Sequence, residues 1–253
     1  MCGRYVSVRA RADLVNEYHA VRADGPELDA SYNVAPMSLV YAVLDRADPE
    51  NPGHVERQLH AVRWGLVPSW AKGPEIGHRL VNARVETLGS KPSWRTAYRK
   101  RRAVIPADGY YEWHPVETDG NLVKQPYYLH PVDGGLLSFA GLYEWWPDPA
   151  KDEHDPERWL WTAVIITTDA RGPAGEIHGR TPLCLPPDRI DAWLDPQRTD
   201  PVQVAVVLTG IGPPALQIRP VSREVNRVGS NGAHLIDPLP NAADRPQRLA
   251  LAS

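Results

Sequence analysis

Only two of the 253 residues are cysteine, Cys2 and Cys184. Such a pair builds neither the disulfide framework of a small secreted domain nor a zinc finger, which suits a reducing compartment. No Cys/His cluster has metal-ligand spacing, so neither a metal nor a cofactor is expected. Lysine is equally scarce: five of the 28 basic residues are lysine and 23 are arginine. Arginine's planar fork suits phosphate oxygens, although genome composition can produce the same bias. The N-terminus carries no apolar leader core, and no apolar run approaches the ~18 to 20 residues that span a bilayer. The expectation is a soluble, non-exported chain with no membrane partner. P-loop, dinucleotide-binding and HExxH patterns are missing, as is any internal repeat, which excludes the commonest nucleotide-binding, zinc-protease and solenoid architectures.

What is present is enough hydrophobic material, 42% of residues, for the core of one large domain. The formal net charge of -3 argues against nucleic-acid binding only as an average. Between Pro147 and Glu157, Asp148, Asp152, Glu153, Asp155 and Glu157 face Lys151 alone, so this segment carries -4 and the remainder is mildly basic. Apolar alternation predicts strands over 39–45, 54–63, 103–113 with a turn inside, 126–130, 136–145, 159–168 and 216–221. Helices are predicted over 9–20, with Leu14, Val15 and Tyr18 on one face, over 91–98, from Pro186-Pro187 to Trp193, and over 202–208. From Asn241 the chain is polar and Ala-rich, and disorder is expected there.

The chain begins Met1-Cys2-Gly3-Arg4-Tyr5. A small second residue favours removal of Met1, which would leave Cys2 with a free α-amine beside its thiol. With pKa values near ~8 and ~8.5, both nucleophiles are available around neutral pH. An aldehyde could form a Schiff base with the nitrogen and then be captured by sulfur as a five-membered thiazolidine. Sulfur could instead attack an amide with the amine as base, as N-terminal nucleophile hydrolases do. A small residue at position two with no chemical role is the plainer reading of Cys2 taken alone.

Downstream stand polar residues in rigid or apolar surroundings. Asn33 lies in Tyr32-Asn33-Val34-Ala35-Pro36, where it either fixes a loop or satisfies a turn. Trp64 and Trp70 flank a Gly/Pro kink, either as rings that stack on a base or as core anchors. Strand alternation would put Asn82, Arg84 and Glu86 on one face, a solvated surface or the floor of a site. Arg99-Lys100-Arg101-Arg102 is the densest basic cluster, a phosphate patch or a solvated turn. Glu112 sits between Tyr111 and Trp113; pointing inward, it would have a raised pKa and could move protons near neutral pH. His178, two residues before Arg180, is the best general acid/base by intrinsic pKa.

The start Cys2-Gly3-Arg4-Tyr5, followed in order by YNVAP, WGLVPSW, NARVET, IPADGYYEW, IHGRTP and RPVSREVN, resembles the SRAP family of abasic-site processing proteins. These motifs span residues 2 to about 238. The resemblance implies an α+β SRAP fold, with curved, mainly antiparallel sheets forming a barrel-like core and flanking helices, as a single domain over 1–238 followed by a polar tail over 239–253. It also implies covalent capture of the ring-opened sugar of an abasic site in single-stranded DNA as a thiazolidine on Cys2. Schiff-base lyase activity and self-removal of Met1 are further implications. In that reading Cys2 is the nucleophile, Asn82 and Glu112 hold the sugar and move protons, and His178 opens the deoxyribose ring. Arg4, Asn33, Arg84 and Arg180 hold phosphates or the site, while Pro36 and Trp64 make apolar contacts at the strand's bend. Thr181 and Ala103 depart from the family's usual residues, and the acidic segment is atypical. A monomer in the cytoplasm, associated with the nucleoid during DNA damage, is expected. An N-terminal-cysteine amidohydrolase of glutaminase type and a noncovalent single-strand binder remain the alternatives.

Overall fold

In the computed structural model, residues 2–47, 51, 53–118 and 120–240 are described. The chain opens with β1 (Tyr5–Ser7), α1 (Arg11–Glu17), β2 (Arg22–Asp24), β3 (Ser31–Val34), β4 (Leu39–Ala47) and β5 (Val55–Trp64). Then come β6 (Asn82–Arg84), α2 (Arg95–Lys100), β7 (Arg102–Ala107), β8 (Gly109–Thr118), β9 (Asn121–Pro131), β10 (Leu137–Pro147) and β11 (Trp159–Asp169). The last elements are α3 (Pro173–Ile177), β12 (Arg180–Pro182), α4 (Pro187–Leu194), α5 (Pro201–Leu208) and β13 (Leu216–Pro220).

β11, β10, β7, β4 and β5 pair in sequence, and β5 returns to β11 through a parallel contact, Arg63 opposite Thr162. Five strands therefore close into a barrel, with no free edge within the ring. Alternation gives each strand two apolar faces, which is why the runs 137–147 and 159–169 read as continuously hydrophobic. Val40, Ala42, Val62, Trp64, Ala103, Ile105, Phe139, Tyr143, Ala163 and Ile165 form the inner cluster. Tyr41, Val43, Leu59, Val104, Ala140, Leu142, Val164 and Ile166 face outward. That outer face is covered by Leu14 and Tyr18 of the first helix segment, Ala97 and Tyr98 of α2, Trp193 of α4 and Val204 of α5. Alanines on the inner face leave room for the rings of Trp64, Phe139 and Tyr143.

The second sheet runs β13-β9-β8-β1-β3 with antiparallel neighbours throughout. Tyr5 and Tyr110 of this sheet pack edge-on against Phe139 of the barrel, with ring centroids 6.0 and 6.1 Å apart. The N-terminal arm thus enters one end of the barrel.

Most elements lie where alternation placed them, with three differences. α1 is shorter than the predicted 9–20 and begins at Arg11, after an N-cap residue, Ala10, that offers no capping side chain. The helix expected over 91–98 begins at Arg95, because Pro92 and Ser93 hold the preceding residues in turns. β6 ends at Arg84 and the chain turns into a 3₁₀ helix over Val85–Thr87, so Glu86 leaves the face shared by Asn82 and Arg84. Leu239 is pinned by its amide to the Pro220 carbonyl at 3.1 Å. The tail from 241 lies outside the described residues.

Candidate active site

β1 and β8 bring Cys2 and Glu112 together. Tyr5 pairs with Tyr110, and the Tyr111 amide donates to the Arg4 carbonyl at 3.0 Å, so the two strands run side by side into the barrel end. Cys2 is fully buried, and its Sγ lies 3.9 Å from the Arg4 carbonyl. Asn82 of β6 donates from Nδ2 to the Cys2 carbonyl at 2.7 Å. Its Oδ1 is buried and has no hydrogen-bond partner among the described residues, which leaves an acceptor beside the cysteine.

Glu112 points inward and is 4% exposed. Burial pushes its carboxyl above the usual range, while the nearby His178 pulls it down. Burial, and then the Glu112 charge, push the Cys2 thiol well above the ordinary cysteine range. His178 follows α3, whose Ala174 carbonyl accepts its amide at 3.1 Å. The Arg180 amide donates to His178 Nδ1 at 2.9 Å, and the Arg180 carbonyl oxygen lies 3.1 Å from the same nitrogen, so both groups of one residue fix the ring's orientation. The geometry therefore gathers Cys2, Asn82, Glu112 and His178: a thiol, an open amide acceptor, a desolvated carboxylate and an imidazole. Among the described residues no three His, Cys, Asp or Glu side chains group as a metal site would require.

The remaining site candidates are placed differently from one another. Arg4 donates to Asn33 Oδ1 at 2.6 Å and to the Val225 carbonyl at 2.7 Å. Asn33, 4% exposed, donates from Nδ2 to the carbonyls of Val225, Arg227 and Ser230. Both side chains are thus engaged in holding the N-terminal arm. Arg180 bridges Glu86 at 2.7 Å and Asp169 at 2.6 Å, so its charge is already matched. Arg84 is exposed, and Pro36 is half-buried in the loop before Met37, whose φ of +74° marks a forced turn. Trp64 is 1% exposed, stacks edge-on with Tyr5 at 5.4 Å and donates to the Val81 carbonyl at 2.8 Å. It is a core anchor. The ring that stands in solvent is Trp70, 56% exposed, and the Gly/Pro kink before it was the available signal.

The basic run 99–102 is largely committed as well: Arg101 pairs with Glu144 at 2.7 Å, and Arg102 is buried. Thr181 lines a hollow of about 280 Å³ and hydrogen-bonds Tyr110 at 2.8 Å. Tyr110 packs in the same core as Cys2.

A closed five-stranded barrel that holds a cysteine, an amide, a carboxylate and an imidazole at one end sets the class of protein by its fold and its candidate site. Within that class the match is particular: residues 1–228 fit the model of the SOS response associated peptidase (SRAP) family, to which this chain belongs. It is 35% identical over 239 residues to the abasic site processing protein YoqW of Bacillus subtilis, covering 94% of this chain and 99% of that one. It is 30% identical to the abasic site processing protein YedK of Escherichia coli, covering 94% and 100% of the two chains. A Bacteroides thetaiotaomicron protein of known crystal structure shares the fold with a TM-score of 0.75 at 22% identity, over 94% of this chain and all of that one. Among the described residues no helix is long and apolar enough to cross a membrane.

Proposed function

We propose that this protein processes abasic sites in single-stranded DNA by forming a covalent thiazolidine through Cys2 after removal of Met1. The observation that carries the reading is the convergence of Cys2, Asn82, Glu112 and His178 at one end of the barrel. The relatives named above as abasic site processing proteins support it.

An abasic site carries a masked aldehyde, the electrophile in DNA to which a 1,2-aminothiol is matched. His178 assists opening of the deoxyribose ring by supplying a proton to the ring oxygen. The Cys2 amine adds to the C1' carbonyl, and the carbinolamine loses one water to give the imine. Sulfur then attacks the imine carbon: the C–S bond forms, the thiol proton passes to Glu112, and the nitrogen takes a proton in exchange. Burial that disfavours the thiolate supports this order, amine first and sulfur second, with Glu112 as the base. Asn82 fixes the Cys2 carbonyl and offers its open Oδ1 to a sugar hydroxyl. Before ring closure, the imine also acidifies the C2' proton, so lyase cleavage competes with capture. Peptide-bond chemistry on the chain's own Met1 is a second activity that the same nucleophile could support.

Arg84, exposed two residues after Asn82 on β6, is available to meet the strand near this end, and Trp70 is a second exposed side chain that could stack on a base. Arg180 contributes only where a phosphate displaces Glu86 or Asp169.

Denaturing gels of the protein with single-stranded DNA carrying one abasic site test the reading. A heat-stable shifted band with wild type, absent with Cys2→Ala and with a form that retains Met1, is expected. An equal shift with Cys2→Ala would exclude Cys2 as the attachment point. No band with any form, together with glutamine hydrolysis, would favour the amidohydrolase alternative.

A further inference from the structure

The RPVSREVN segment supplies no group to this chemistry, yet it touches both strands that do. It ends in a 3₁₀ turn over Arg223–Asn226, started by Ser222, whose Oγ accepts from the Glu224 amide at 3.2 Å. Arg4, two residues after Cys2, donates to the Val225 carbonyl at 2.7 Å. Trp113, the residue after Glu112, donates from its indole Nε1 to Asn226 Oδ1 at 2.7 Å. We propose that Asn226 is a positioning residue: through Trp113 it pins the strand bearing Glu112 to the turn that also holds the arm bearing Cys2, and so keeps base and nucleophile in register.

The sheet leaves a gap for such a pin to fill. The β1–β8 register covers only Tyr5 with Tyr110 and Val6 with Gly109, and Cys2 and Glu112 both lie beyond its end. Past that point the backbone link is the Tyr111 amide to the Arg4 carbonyl. Neighbouring strand residues point to opposite faces, so Glu112 faces the dry interior while Trp113 lies on the opposite, more open face. Holding the indole therefore holds the twist of the strand at Glu112. An indole N–H can only donate, so the turn must present an acceptor, and Asn226 does so.

The inference rests on the functional reading above, and its test separates the two. Crosslinking rates on abasic single-stranded DNA are measured for wild type, Asn226→Leu, Asn226→Asp and Trp113→Phe, across pH and beside their thermal midpoints. Leu removes the acceptor, and a loss of at least about tenfold is expected, since misplacement by about 1 Å can cost about 10²-fold. Asp keeps the acceptor and should stay within about threefold of wild type, because a charged acceptor bonds at least as well. Trp113→Phe removes the donor and should match Asn226→Leu, with no further loss in the double variant.

A loosened Trp113 also admits water to Glu112. Among the described residues, the groups facing that carboxyl are Cys2, Tyr110 and His178. None of them changes in these variants, so the rise of rate with pH should move to lower pH in Asn226→Leu and Trp113→Phe. Should Asn226→Leu fail to fold, Trp113→Phe decides. Wild-type rate in Trp113→Phe, or a loss in Asn226→Asp as large as in Asn226→Leu, would overturn the proposal while wild-type crosslinking leaves the functional reading standing. No wild-type crosslink would overturn both.

Discussion

The Glu112 charge adds to the cost of ionising Cys2, while burial raises the pKa of Glu112 itself, and the consequence for Glu112 can be measured in two opposite directions. Its folded pKa lies above the ordinary glutamate value, so the folded state binds the proton more tightly, and stability is lost as pH rises from the ordinary range through the raised value. Glu112→Gln should therefore raise the thermal midpoint near neutral pH, read by calorimetry, while slowing crosslinking about 10²- to 10⁴-fold, as expected for loss of a positioned base. A lower midpoint together with an unchanged rate would remove Glu112 from the chemistry. This residue's inward orientation was only half legible beforehand, because aromatic neighbours on a strand favour burial without deciding which face is wet. Cys2 was legible from its place in the chain, since a 1,2-aminothiol needs only position two and a removable Met1. Arg4 and Asn33 show the opposite limit: their partners sit in residues 225–230, and nothing local announces a contact that distant in sequence.

The supporting elements hang on a few side chains that tie their ends. Arg102, 2% exposed, donates to the Tyr98 and Arg99 carbonyls at the end of α2 and to the Trp193 and Asp195 carbonyls at the end of α4. One guanidinium thus satisfies the orphan acceptors of two helices and complements both dipoles. Arg102→Met should cost about 3 kcal/mol or more in denaturant unfolding, because buried carbonyls would be left unpaired. At Gly65 the backbone has φ of +134°, and a Cβ there would stand 2.8 Å from the Gly77 carbonyl oxygen. Gly65→Ala should cost about 1 to 3 kcal/mol by the same measurement. Strand positions were legible because two-sided burial leaves unbroken apolar runs. The parallel closure of β5 on β11 was not, since it depends on packing between segments that share no local pattern. The basic run at 99–102 misled for a related reason: its charges pair with Glu144 and with helix ends that only the fold brings near.

Across the whole molecule the barrel has two unlike ends. Cys2 occupies one, and at the other Arg46 lies over Trp145 and Trp161 at 5.4 and 5.2 Å, with His60 stacked on Trp161 at 4.6 Å. Burial holds His60 down at about 4, against the attraction of Asp24 at 3.3 Å. The unfolded chain then binds a proton that the folded one refuses, so stability should fall as pH drops from about 6.5 to about 4. The loss attributable to His60 is on the order of 3 kcal/mol, and His60→Gln should flatten the unfolding profile over that window.

The central claim concerns one bond at the opposite end. Intact mass spectrometry of the crosslink, with and without borohydride, reads it most directly. Capture as a thiazolidine predicts the summed mass of strand and mature protein less one water, unchanged by borohydride because no imine remains to reduce. A crosslink trapped only with borohydride, two hydrogens heavier and formed equally by Cys2→Ala, would contradict it.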